Sequence, residues 1–372
     1  LKRKFFYWLT ISNFLYIIIL LILAGIAIAS LTGDNGLFKR AQESREETLT
    51  AQEDELRRLT QMEAATNLEN TTHTDDSTGE EKTVTIPAGF AVSQIEGENT
   101  IEDGLVIIDK SGNEFVWVPV ENVIAADTSE ANDKKKMALL DSSTGNYSGI
   151  IYDFTVTEDN NSITSSVRIT NYFEPRLAEW NDTDEALAKY GYSSKEEFLE
   201  TMQIEYNNMV NSVNTYKGFY VGRYETSINE SGEIKSKKGT IPYSGSGIDW
   251  YKLYENQKKI DSTSVKSSMI WGSQYHAMLN WIISNKNYNL LGIIRNETEK
   301  VACGSNENDI INNIYDLSGN TFEWTLTEGS QLNARMRMGG DFSNGGNALT
   351  RGYTNSAYTG EMNGSRMTLY LK

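Results

Sequence analysis

The hydrophobic pattern changes character three times along this chain. From Phe14 to Ala29 every residue is apolar or glycine, and the run reaches back to Phe5 and on to Leu31, broken only by Thr10, Ser12 and Asn13. A helix of that length crosses a hydrocarbon core of about 30 Å, so the pattern predicts a transmembrane helix at 5–31. Lys2, Arg3 and Lys4 precede it and Thr32 to Gly36 follow. The positive charge then assigns the N-terminus to the cytoplasm and everything after Asp34 to the outside, as a single-pass cell-membrane protein. Ala27-Ile28-Ala29 is the one weak cleavage candidate, which favours an uncleaved anchor over a signal peptide.

Lys39 to Leu68 is rich in Glu, Gln, Arg, Ala and Leu, and brings Leu49, Leu56, Leu59 and Met62 near one face. It reads as a stalk helix able to self-associate, although two heptads do not define a coiled coil. Asn70 to Lys82 has almost nothing apolar to bury and reads as a flexible linker.

From Val84 the chain looks globular. Val84 to Pro87, Gly104 to Ile108 and Glu114 to Pro119 have strand composition, and Asp109 to Asn113 that of a hairpin turn. Glu121 to Thr170 is polar and irregular. Ser194-Lys195-Glu196-Glu197 is a capping box opening a helix toward Asn211. Phe219 to Glu225 reads as a core strand, and Tyr275, Met278, Leu279 and Ile282 recur at helical spacing. Few helices among many short strands and long loops make an α+β domain. The predicted organisation is a cytoplasmic tip and membrane helix (1–36), a stalk (37–68), a linker (69–83), and a domain (84–372) with an insertion at 121–170.

Composition narrows the chemistry. With 34 basic against 51 acidic residues the formal charge is -17, which argues against a nucleic-acid partner. A single cysteine, Cys303, rules out an internal disulfide framework. Of the two histidines, His73 lies in the polar linker and His276 on an apolar helical pattern, where a packed role suits it better than catalysis.

Tyr315-Asp316-Leu317-Ser318-Gly319-Asn320-Thr321-Phe322-Glu323-Trp324-Thr325, then Met338-Gly339-Gly340 and Gly364-Ser365-Arg366, is the most specific signal in the chain. Gly319-Asn320 suits a turn with positive φ. Phe322 and Trp324, two apart on a strand, would enter the core while Glu323 takes the other face. This ordered set resembles the core motifs of the formylglycine-generating (sulfatase-modifying factor) family, and the likeness runs from about Ile86 to Lys372. The resemblance implies a C-type-lectin-like fold with long loops. It also implies a structural calcium held partly by Asn320 and Glu323, hard oxygen donors suited to that ion. A turn asparagine and an exposed carboxylate explain the same two residues equally well.

The family's copper-bound cysteine pair has no counterpart, because Asn344 and Leu349 stand at those positions. No copper and no oxidase chemistry are expected, since copper(I) selects soft thiolates. Cys303 beside a second metal donor inside a pocket would overturn that expectation. Leu20 to Leu37 resembles the N-terminal helix of type IV prepilin-like proteins, without their processing glycine or early acidic residue.

These features point to a membrane-anchored, surface-displayed binding module without catalysis. Its ligand site would be the C-terminal loops, through Asp341, Phe342, Asn344, Asn347, Arg351, Tyr353, Asn355 and Tyr358. Tyrosine among small polar residues is a mixture that binding loops use. The placement also resembles the variable region of lectin-like proteins diversified by retroelements. The ligand would be an extracellular protein or glycan. Two alternatives stand beside this reading. One is a pseudopilin or filament-tip adhesin. The other is an enzyme of altered chemistry using Asp316, Glu323 and Asp341 for acid-base work.

Overall fold

A computed structural model describes residues 19–22, 24, 37–79, 81–125, 133, 135–139, 151–154, 165–168, 172–178, 181–285, 298–329 and 334–372. The chain divides into two compact units, Leu1–Arg58 and Leu59–Lys372.

In the first unit the described residues are helical: 19–22, Ala24, and the beginning of the helix Leu37–Thr66. The expected transmembrane helix is not supported. Among the described residues no helix is long and apolar enough to cross a membrane. Most of the 5–31 run, namely 5–18, 23 and 25–31, lies outside the described residues. The helix Leu37–Thr66 itself is strongly polar, so its length alone does not make it a span.

The second unit takes the last turns of that helix. Thr60 and Ala64 are buried there, whereas Leu59 and Met62, from the leucine-rich face that the sequence suggested, are exposed. Small residues bury because they let the helix approach closely. The stretch read as a flexible linker is structured in part: Thr71–Asp75 pairs antiparallel with Lys82–Ile86. Those strands need little core of their own, because Val84 and Ile86 bury into the domain.

The domain is α+β with curled sheets. A six-stranded antiparallel sheet runs in the order Val265–Met269, Met367–Leu371, Gly218–Gly222, Glu114–Pro119, Val106–Asp109 and Phe90–Val92. Both of its faces are covered. Val116, Val118, Phe219 and Val221 point into one core, with Trp250, Trp271 and Trp324. Phe115, Trp117 and Tyr220 alternate into a second, with Phe90, Leu105 and Leu369. Burial on both sides is why Glu114 to Pro119 reads as a nearly continuous apolar run and not as an alternating one.

Asp109 closes the hairpin before that strand, accepting from the amides of Ser111 (2.8 Å) and Asn113 (2.9 Å). In the insertion, Asn122–Ala125 pairs parallel with Lys136–Leu139, and Ile151–Phe154 pairs antiparallel with Ser165–Arg168.

Three of the helices that cover the first core are Lys195–Tyr216, Trp250–Gln257 and Gly272–Ser284. Ser194 caps the first of them, its Oγ accepting from Glu197 N at 3.2 Å, while the Glu197 carboxylate reaches back to Ser193 N at 2.7 Å. His276 is buried in the third, as the apolar spacing suggested.

A second sheet orders Tyr172–Phe173, Phe322–Gly329, Ala334–Met338 and Arg351–Thr354, with Asn363–Ser365 parallel to Phe322–Gly329. The helix Gly272–Ser284 is tied to this sheet by a buried carboxyl. Glu174 Oε1 accepts from Ser273 N at 3.1 Å and from the Thr327 hydroxyl, whose oxygen accepts in turn from Gly272 N at 2.8 Å. Glu174 Oε2 has no hydrogen-bond partner among the described residues.

Burial pushes Glu174 up to about 7, against the opposing pull of its hydrogen bonds from Thr327 and Ser273. A carboxyl raised in the folded state holds its proton while the unfolded chain releases one near 4.5. Stability is therefore full below about pH 4.5 and falls until about pH 7, by about 3 kcal/mol from this group. Urea titrations across pH 4 to 8 should show Glu174→Gln flattening that fall relative to the wild type. Parallel pH profiles for the two proteins would refute the assignment.

Candidate functional site

The motif from Tyr315 to Thr325 folds around a buried arginine. Its turn is left-handed at Asp316 (φ 56), Gly319 (φ 83) and Asn320 (φ 55), as the Gly-Asn pair suggested. The turn delivers Phe322–Gly329 into the second sheet, with Phe322 and Trp324 both buried. Glu323 takes the opposite face but is also buried, where it meets Arg366.

Arg366 Nε and Nη2 donate to Glu323 Oε1 at 2.9 and 2.5 Å. Its Nη1 donates to Gly222 O at 2.9 Å and Nη2 also to Tyr315 O at 2.8 Å. One guanidinium thus links the six-stranded sheet, the motif turn and the second sheet, which is why the sequence places a Gly-Ser-Arg step before the last strand.

Beside this pair lies a group that sequence reasoning missed in part. Glu225 accepts from Thr321 N (2.9 Å), the Thr321 hydroxyl (2.5 Å) and Asn320 Nδ2 (2.5 Å). Asp316 Oδ2 accepts from Gly304 N at 2.7 Å, and Cys303 Sγ stands 4.0 Å from Glu225 Oε2. Donor atoms of Glu225, Cys303 and Asp316 all lie within 4.8 Å of one another, in full burial. Burial, then Asp316 and Glu323, push Glu225 well above the carboxylate range. Burial, then Glu225 and Asp316, push the Cys303 thiol up as well.

Cys303 does stand beside metal-donating carboxylates, but it is the chain's single cysteine and lines none of the cavities described here. The thiolate pair that copper needs is not available in this chain. Nor do Asn320 and Glu323 fit the calcium expected from the family likeness. Asn320 Oδ1 accepts from Val301 N at 3.0 Å, and Glu323 Oε1 is taken by Arg366. Among the described residues only Glu323 Oε2 of this pair lacks a hydrogen-bond partner, and one open oxygen does not make the cage of about six to eight oxygens that calcium takes.

The eight C-terminal candidates divide into framework and display. Asp341 is fully buried and works as a turn former: Oδ1 accepts from Ser343 N and Asn344 N, both at 2.8 Å, and Oδ2 from Asn344 Nδ2 at 2.8 Å. Asn347 Oδ1 accepts from Leu349 N at 3.1 Å, and Asn355 Oδ1 from Ala357 N at 2.8 Å. Arg351 is half-buried on the edge strand Arg351–Thr354, and Phe342 is half-buried too. Asn344, Asn355, Tyr353 and Tyr358 are exposed, the two tyrosines at 41% and 43%.

Two neighbours were not anticipated. Arg337 lies with its guanidinium carbon 4.1 Å from the centre of the Phe322 ring, and its Nη1 donates to Asn363 Oδ1 at 2.6 Å. The alternating pattern of Ala334 to Met338 was the only clue that Arg337 would face this region. Elsewhere a cavity of about 610 Å³ is lined by Trp117, Trp281, Tyr216, Lys82, Lys217 and Glu102 among others, and it shares no residue with the loops.

No protein-family model and no curated protein matches this chain. Among solved structures it is similar to Treponema denticola variable protein 1, at 12% identity over 80% of this chain and 98% of that one, with a TM-score of 0.22. A superposition that loose carries no argument here.

Breaking the buried pair leaves one charge without its partner, so Glu323→Ala should cost about 3–5 kcal/mol in urea unfolding. A loss below about 1 kcal/mol would mean that the pair does not organise the fold. Cys303 should resist a thiol reagent such as dithionitrobenzoate at pH 8 and react at once in denaturant. Rapid labelling of the folded chain would disprove the buried thiol.

Proposed function

We propose that the domain at 84–372 is a non-catalytic binding module whose ligand face is the C-terminal segment 341–363. The observation that carries this reading is the exposed pair Tyr353, on the edge strand Arg351–Thr354, and Tyr358, in the turn after it, beside turns held by Asp341, Asn347 and Asn355. Tyrosine rings supply contact area at low entropy cost, and a backbone held by its own side chains loses little freedom on binding. The division into framework and display also suits a surface whose outward residues are exchanged while its scaffold stays constant.

Acid-base catalysis has less behind it. Asp316, Glu323 and Asp341 are all buried, and each accepts hydrogen bonds from the domain's own groups. A general acid or base must reach a substrate proton. No membrane anchor is part of this reading.

Panning a displayed peptide library and probing a glycan array with the full chain tests the proposal. The double variant Tyr353→Ala/Tyr358→Ala should weaken captured ligands by at least about tenfold, with its unfolding midpoint unchanged. Ligands that bind the double variant as well as the wild type would place the binding face elsewhere.

A further inference from the structure

We infer that this face binds its partner by strand addition: an extended segment of another protein pairs its main chain with the edge strand Arg351–Thr354 at Tyr353. The inference rests on the reading of segment 341–363 as the ligand face, and it adds the mode of recognition and the kind of partner.

Among the described residues the order of the second sheet ends at Arg351–Thr354. The phase of its pairing follows from one bond. Gly339 N donates to Thr350 O at 3.0 Å just before the strand, and the register then matches Met338 with Arg351, Arg337 with Gly352, Met336 with Tyr353 and Arg335 with Thr354. Main-chain groups alternate between the two sides of an antiparallel strand. Gly352 and Thr354 therefore turn theirs toward Ala334–Met338, while Arg351 and Tyr353 turn theirs outward. Met336, opposite Tyr353, agrees with that phase, because its carbonyl accepts from Thr325 Oγ1 on the strand beyond, at 3.1 Å.

The outer side is accessible. Tyr353 is 41% exposed, and Gly352, whose surface is all main chain, is partly exposed. Downstream, Asn355 O accepts from Tyr358 N at 2.9 Å, so the turn closes the ladder after Thr354.

Natural sheets blunt such an edge with proline, displayed charge or covering groups. The sequence Arg-Gly-Tyr-Thr has no proline, and the guanidinium nitrogens of Arg351, its one charged group, are buried. The edges of the six-stranded sheet are treated differently. On one, Asn67 Nδ2 donates to Phe90 O at 2.8 Å, and on the other Ser267 N donates to Ile260 O at 2.7 Å. Outward groups at two-residue spacing match an extended main chain, whereas the hydroxyls of a sugar have no such repeat. The Tyr353 ring then packs beside the incoming strand's side chains. A second copy of this chain is the poorer occupant, since each copy carries a formal charge of -17.

The test uses the full chain as bait for a random linear peptide library displayed on yeast. Tyr353→Pro removes the outward N–H together with the ring, and Tyr353→Ala removes the ring alone. Edge strands tolerate proline where the N–H faces out, so these two variants should share one urea midpoint. Thr354→Pro should unfold at lower urea, because it breaks the pairing with Arg335. Selected peptides should bind Tyr353→Pro roughly tenfold or more weaker than Tyr353→Ala. Two further measurements use the unaltered chain. Methylating the peptide's amide nitrogens one at a time should weaken binding at alternate positions only, and bound peptide should protect the Tyr353 amide from hydrogen exchange.

Equal binding by the proline and alanine variants, or methylation effects without a two-residue repeat, would overturn strand addition. So would a Tyr353→Pro midpoint as low as that of Thr354→Pro, or a Tyr353 amide that exchanges freely in the complex. The ligand face would survive those results if Tyr353→Ala/Tyr358→Ala still weakened binding. Peptides indifferent to both tyrosines and to the proline would overturn the face as well. Glycans captured in place of peptides would reject the main-chain partner. A dimer that Tyr353→Pro dissolves in sedimentation would reject it too, in favour of a second copy.

Discussion

The grip of Arg366 Nε and Nη2 on Glu323 Oε1 is the constraint from which the rest of the domain follows. A guanidinium buried without compensation is among the costliest groups a fold can hold. Here its donors reach the Glu323 carboxylate, the Gly222 carbonyl at the end of a central strand, and the Tyr315 carbonyl at the start of the motif turn. These partners come from three distant parts of the chain. The donors are satisfied together only when both sheets and the turn are assembled, which makes the pair a condition of the whole fold.

That arrangement explains why the neighbouring acids are structural. Glu225, Asp316 and Cys303 gather in full burial beside the pair. The carboxylates accept from Thr321, Asn320 and Gly304 and so hold the left-handed turn in place. Burial, then Asp316 and Glu323, raise Glu225, and its hydrogen bond from the Thr321 hydroxyl offsets part of that cost. A site already filled by its own donors has little to offer a reactant. The C-terminal loops are built differently, with Asp341, Asn347 and Asn355 turned inward on the backbone and Tyr353 and Tyr358 turned out.

Much of the architecture was legible where a local pattern has one physical solution. Ser194 and Glu197 marked a helix start, Asp109 to Asn113 a hairpin, and Gly319-Asn320 a left-handed turn, because each is decided within a few residues. Pattern reading failed where partners are remote. The polar stretch before Val84 read as linker, yet Thr71–Asp75 pairs with Lys82–Ile86. Main-chain hydrogen bonds do not require apolar side chains. The apolar run at 5–31 was read by length and hydropathy, and the described helices include none that fits a membrane span.

In the candidate sites the same divide decides each residue. The sequence alone determined which chemistry is possible: a lone Cys303 cannot form a thiolate pair, and two histidines cannot build a histidine-rich metal site. It also determined that tyrosines and asparagines would concentrate between Asp341 and Asn363. Only the tertiary structure decided that Asp341 faces inward, that Glu323 Oε1 is taken by Arg366, and that Arg337 lies beside Asn363. Composition limits the groups a chain can supply. Which oxygen meets which donor depends on strands separated by dozens of residues, and no local pattern records that pairing.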